Sequence, residues 1–171
     1  GIALALLTWG GLRLRDAFAP STPSAKAAWH LEKAEKARKS GRHDLAIEQA
    51  DAAASLSSMT QDQLGLMRAA LSKASTWQAS GDLAAAQRMH EQAYSVAQRL
   101  NDPLLAAKAA EAAKAYFLNQ NNAARALEFA GHAAGHYVKG GQWRRAASLM
   151  IVLGDTLAER GQTEMAETAY R

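Results

Sequence analysis

A chain of 171 residues carrying 20 Lys and Arg, 16 Asp and Glu and a net charge of +4 has room for one ordinary domain or one continuous repeat array. With no cysteine and five histidines it forms no disulfide, performs no thiol chemistry and offers few metal ligands. Basic residues never run to five in a row and are interspersed with acidic ones, which argues against a nucleic-acid footprint.

Abundant alanine and only three prolines suit an all-α protein, because Ala carries the lowest helix cost and Pro the highest. Few Val, Ile or Thr runs are present to seed strands. The absence of cysteine is compatible with cytosol or periplasm and leaves localisation open.

Residues 2–12 are uncharged and show no polar face. Three readings compete for them. One is the tail of a membrane anchor, although the run is well short of the ~20 residues that span a bilayer. Another is a secretory signal ending near Ala17-Phe18-Ala19, against which the charges of Arg13, Arg15 and Asp16 count. The third is a terminal helix packed on the first repeat. Pro20 and Pro23, among small polar residues, mark a linker and a helix start, so residues 1–23 stand apart from a helical array over 24–171.

Within that array Gly41, Gly81 and Gly161 are spaced by 40 or its multiple, and Asn121 fills the missing place. Asn is the usual substitute for Gly where a helix ends in a left-handed residue. Five residues after each comes Ala46, Ala86, Ala126 or Ala166, and twelve after come Ala53, Ala93 and Ala133. Four before stand Ala37, Trp77, Phe117 and Leu157. Small residues at crossings, with large ones beside them, let the two helices of a pair approach closely.

Second breaks fall midway, at Ser57-Ser58-Met59-Thr60, Asn101-Asp102-Pro103 and Gly140-Gly141. Thr60 with Gln63 reads as a capping box, and Asp102 caps a helix whose first position is Pro103. The pairs expected are about 24–60, 61–100, 101–140 and an incomplete 141–171, with helices of ~16 residues. An apolar face without its next neighbour is expected near Leu153, Leu157 and Met165, and with it self-association or a following segment that covers it.

These residues resemble the tetratricopeptide repeat. The fullest match is Leu153-Gly154, Gly161, Ala166 and Tyr170, followed by Trp77, Gly81-Asp82-Leu83, Ala86 and Ala93. The period here is 40 where the family's usual one is 34, which is similar to the longer-helix variety of signalling adaptors and bacterial transcription activators. HEAT and armadillo arrays share the spacing and are the minority reading; RNA-reading pentatricopeptide arrays match poorly. The resemblance implies an α-α superhelix that binds a protein or peptide, with no catalytic residue, metal or cofactor.

By position, the first helix of each pair would present the groove. Its residues would be Leu31, Glu35 and Arg38; Arg68, Leu71, Ser75 and Gln78; Lys108, Glu111, Ala115 and Leu118; then Ile151 and Asp155. Family members that clamp a C-terminal carboxylate place Lys and Asn where this chain has Leu31, Glu35 and Ser75, so that clamp is not expected. A composition rich in Ala, Arg and Gln suggests a bacterial adaptor or assembly factor, with a sensor arm of a transcription regulator as the alternative.

Two other constellations carry chemistry on paper. Glu128, His132 and His136 share a helix face at a spacing that could hold zinc, but a solvated polar face is the simpler expectation. Gly140-Gly141-Gln142-Trp143-Arg144-Arg145 could cradle an anion, against which stands a plain Gly turn followed by an exposed basic face. His30 and His90 fall where the repeat packs bulk and are expected at the edge of the core.

Overall fold

In the computed structural model, which describes residues 20–171, a left-handed residue recurs every twenty positions. These are Gly41, Gln61, Gly81, Asn101, Asn121, Gly141 and Gly161, with φ between 54° and 90°. Seven such stops divide the described residues into eight helices: Pro23–Lys39 (α1), His43–Met59 (α2), Gln63–Ser80 (α3), Leu83–Arg99 (α4), Pro103–Asn119 (α5), Ala123–Lys139 (α6), Trp143–Glu159 (α7) and Thr163–Tyr170 (α8). No strand occurs among the described residues. The readings of residues 1–19 as anchor, signal or packed helix lie outside the described residues; among those described, no helix is long and apolar enough to cross a membrane.

Most stops share one hydrogen-bond pattern. After α1 the Gly41 amide donates to Arg38 O (3.0 Å) and the Arg42 amide to Ala37 O (2.9 Å). The same pair of bonds closes the helices before Gln61, Asn121, Gly141 and Gly161. Such a double closure satisfies carbonyls that a helix end would orphan, and it needs the left-handed residue. The carbonyls that accept the returning bond belong to Ala37, Ser57, Phe117, Tyr137 and Leu157, all of them buried.

The next helix starts one residue later on a polar cap. Asp62, Asp82 and Asn122 accept from the amides of Gly65, Ala85 and Arg125 at 2.9–3.1 Å, and Asp102 accepts from Leu104 and Leu105 with Pro103 at the first position. This corrects the expected capping box at Thr60 and Gln63. Thr60 ends α2, its hydroxyl donating to Leu56 O and Ser57 O, and Asp62 is the cap of α3.

Consecutive helices pack against one another in a succession of pairs, and α1 also touches α3 as α6 touches α8. At the crossings Ala46, Ala86, Ala126 and Ala166 are buried, as are Ala53, Ala93 and Ala133. The central core runs through α3, α4, α5 and α6, with Tyr94, Tyr116, Phe117 and Phe129 among its alanines. The open apolar face expected at Leu153, Leu157 and Met165 is not found there. Leu153 and Leu157 are buried because α8 lies over them, and Met165 of α8 is half-buried against the same cluster; the exposed apolar side chains of α7 are Trp143, Ile151 and Val152.

Candidate functional site

A 40-residue register aligns the first helix of each pair. Leu31, Leu71, Glu111 and Ile151 then fall at one position, Glu35, Ser75, Ala115 and Asp155 at a second, Arg38, Gln78 and Leu118 at a third, and Arg68 and Lys108 at a fourth. None of these side chains is buried. Arg68, Lys108, Ala115, Ile151 and Asp155 are exposed, and the others are half-buried on α1, α3 and α5. Leu71 and Leu118 rest on the central core, and Leu31 rests on Ala27, Ala53 and Ala69.

The acids of this face are held by neighbours. Glu35 accepts from Arg38 Nε (2.9 Å) and Nη2 (2.7 Å), with Lys39 Nζ 3.3 Å from the same carboxylate. The Arg38 hydrogen bonds hold the Glu35 carboxyl below its ordinary value, and the same pair raises Arg38. Asp155 accepts from the Tyr170 hydroxyl of α8 at 2.6 Å. Glu111 lies 3.8 Å from Arg145, whose guanidinium also covers the Tyr137 ring at 4.6 Å. The Leu118 carbonyl accepts from Arg160 Nη1 at 2.7 Å, which ties the α5–α6 stop to the α7–α8 stop. Arg68, Ser75, Gln78 and Lys108 make no side-chain hydrogen bond or ion pair among the described residues.

Charge is divided between the two sets of helices, a feature that sequence reading missed because it surfaces only after the helices are sorted. The first helices α1, α3, α5 and α7 carry eleven Lys and Arg against five Asp and Glu. The second helices α2, α4, α6 and α8 carry four against seven. One cross-connection is the Lys73–Asp51 ion pair between α3 and α2, at 2.7 Å.

At the first pair a cleft of about 360 Å³ opens beside Trp29, lined by Lys33, Lys36, Arg42, Leu45 and Gln49, with Lys33 Nζ 3.5 Å above the indole. Trp29 aligns with Ala69 and Ala109, which later pairs bury.

Glu128 and His132 of the histidine stripe are exposed, as expected for a solvated face, while His136 is half-buried against α4. His132 stacks on Tyr94 of α4 at 5.4 Å, and His136 Nε2 is 3.1 Å from the Tyr94 hydroxyl, which Gln98 also reaches. Glu128 is taken by Arg125 at 2.6 Å; Arg125 also bonds Glu91 of α4 at 2.6 Å and lies over Phe117 and Phe129. Among the described residues no three His, Asp or Glu side chains are grouped to hold a metal. His90 is buried against Tyr116, and His30 is half-buried with Nδ1 2.8 Å from Gln49 Oε1. Around Gly141 the backbone turn leaves Trp143, Arg144 and Arg145 exposed at the start of α7.

Repeated helix pairs, buried crossing alanines and one exposed register on the first helices define a helical-repeat solenoid. No family model matches the chain, and no curated protein matches its sequence. Among solved structures it is similar to BtubC (BKLC) from P. vanneervenii, with a TM-score of 0.68 and 17% identity, over 88% of this chain and 62% of that one. It is also similar to a P. anserina chain of nearly identical TPR-like repeats, assigned as a kinesin light chain. The TM-score there is 0.65 and the identity 14%, over 88% of this chain and 74% of that one. The chain thus spans less than two thirds of BtubC. The likeness is one of fold, and the fold is the tetratricopeptide-like repeat solenoid.

Proposed function

We propose that this chain is an interaction scaffold that holds a segment of a partner polypeptide along α1, α3, α5 and α7. The observation that carries this reading is the recurrence of accessible side chains at one register of four successive first helices, above crossings sealed by buried alanine. A stack of pairs that each contact only their neighbours makes an extended surface, suited to gripping a chain along its length. Half-buried Leu31, Leu71 and Leu118 supply an apolar floor. Ser75, Gln78, Arg68 and Lys108 supply polar groups with no internal commitment among the described residues. An adaptor or assembly factor fits this arrangement.

The test is selection of peptides from a random display library on the intact chain. Peptides so chosen are expected to lose at least about tenfold in affinity, or 1.4 kcal/mol, on Leu71→Glu combined with Arg68→Glu. Glu48→Lys on α2 is expected to leave them unchanged. Equal binding by the groove variant, with its helix content intact, would place the binding surface elsewhere.

A further inference from the structure

We propose that the segment held by the first-helix face is acidic, its carboxylates meeting Arg68, Lys108 and Arg144 while an apolar side chain of the partner rests on Leu71. This inference rests on the scaffold reading and goes further by naming the chemistry of the partner.

The first helices have more than twice as many cations as anions, and what matters for a ligand is which of those charges are already spent. Three of the five carboxylates lie beside a cation and a fourth accepts a hydroxyl. Glu32 pairs with Lys36 at 2.6 Å, Glu35 with Arg38 at 2.7 Å, Glu111 approaches Arg145 at 3.8 Å, and Asp155 takes the Tyr170 hydroxyl at 2.6 Å. The cations are not matched in the same way. Arg68, Lys108 and Arg144 are exposed and have no acidic partner among the described residues.

Placement reinforces the sign. Arg68 and Lys108 occupy the same register on α3 and α5, and Arg144 stands one helical turn nearer the start of α7. Arg144, in the first turn of α7, also stands where the aligned peptide dipoles are positive. Leu71 follows Arg68 by three residues on the same helix, so a side chain docked there keeps a neighbouring carboxylate within reach of the guanidinium. Opposite potentials across such a face select the partner and speed its encounter. A continuous phosphate backbone suits the surface less well, because half-buried Leu71 and Leu118 among the cations offer it no apolar partner.

The experiment measures fluorescence anisotropy of labelled alternating peptides, Glu with Leu, Ser with Leu and Lys with Leu, and of a single-stranded RNA of matched length, against the whole 171-residue chain. The Glu–Leu peptide is expected to bind roughly tenfold tighter than the Ser–Leu peptide, with the gap closing in about 1 M salt. Arg68→Glu with Lys108→Glu is expected to reverse the preference toward the Lys–Leu peptide, while Arg88→Glu on α4 leaves it alone. Far-UV circular dichroism shows whether the variants remain helical. If Glu–Leu and Ser–Leu peptides bind alike and both are lost on Leu71→Glu, the scaffold reading stands and the acidic partner falls. RNA bound as tightly as the Glu–Leu peptide also overturns the proposal. Failure of every peptide to bind overturns both readings.

Discussion

The ring of Tyr170 lies directly over Gly154, so that a Cβ at position 154 would meet ring carbons Cδ1, Cε1 and Cζ. The Tyr170 hydroxyl then reaches Asp155, the next residue of α7, at 2.6 Å. In the 40-residue register, the aligned residues of earlier pairs are Ala34 and Ala50, Ala74 and His90, and Lys114 and Ala130. Tyrosine appears only where its counterpart has no side chain. The contact fixes the last described helix and, through Asp155, one residue of the candidate groove.

Gly154→Ala therefore sets two effects against each other. The methyl group gains up to ~1 kcal/mol of helix propensity, yet it must push the Tyr170 ring aside, and overpacking typically costs ~1–3 kcal/mol. Alone the substitution is expected to destabilise, with faster amide exchange across α8; in a Tyr170→Ala background it is expected to stabilise. A double-mutant cycle by urea unfolding reads the sign, and additivity of the two changes would show that ring and glycine are not coupled.

Gln61 is the one left-handed stop occupied by neither Gly nor Asn, at φ 56°. A side chain with Cβ costs about 1–2 kcal/mol in that region, partly offset in Gln61→Gly by the added freedom of the unfolded chain. Gln61→Gly is expected to raise stability by ~1 kcal/mol, more than Asn101→Gly or Asn121→Gly. A lowered melting temperature for Gln61→Gly would contradict it.

Burial lowers the His90 pKa to about 4, and neither ring nitrogen has a hydrogen-bond partner. The folded value lies below the ordinary 6.5, so the unfolded chain takes up a proton that the folded chain refuses. Stability from His90 is complete above about pH 6.5, declines as pH falls toward 4 and is flat below that. Between pH 7 and pH 5 the loss is expected to be about 2 kcal/mol. His136, also lowered chiefly by burial, adds in the same direction. His90→Leu is expected to flatten most of the slope, and an unchanged pH profile would assign it to other groups.

Ala86 and Ala126 are fully buried at the crossings of α3 with α4 and of α5 with α6. Enlargement of either to Leu is expected to cost ~1–3 kcal/mol by overpacking. Ala84→Leu, at an exposed site of α4, should shift stability by less than ~0.5 kcal/mol. Parity among the three in thermal unfolding would mean that the crossings are not close-packed.

Legibility in the sequence followed how local each signal was. A stop made by Gly or Asn leaves a mark in one residue, and a crossing sealed by Ala leaves one at a fixed offset, so Gly41, Gly81, Asn121 and their alanines could be aligned directly. The stop at Gln61 carries no such mark, which is why Thr60 was read as the cap and Asp62 passed over. The histidine stripe on α6 showed which residues share a helix face, but its neighbour is Tyr94, some forty residues away on α4. The candidate groove was legible as a register, whereas its spent and unspent charges were not. Of its pairings, Glu35–Arg38 spans three residues and could have been found by helical spacing, but Asp155–Tyr170 depends on how α8 folds back.

The left-handed beat at positions 41 through 161 never slips by a single residue. A block of forty residues taken from one stop to its counterpart, such as 82–121, could therefore be copied or excised and the flanking turns would still meet in phase. One residue added inside a helix would instead swing everything after it by about 100° around the axis, pointing the sealing methyl groups into water. Length in this protein is adjustable only in whole paragraphs of structure, never by the letter.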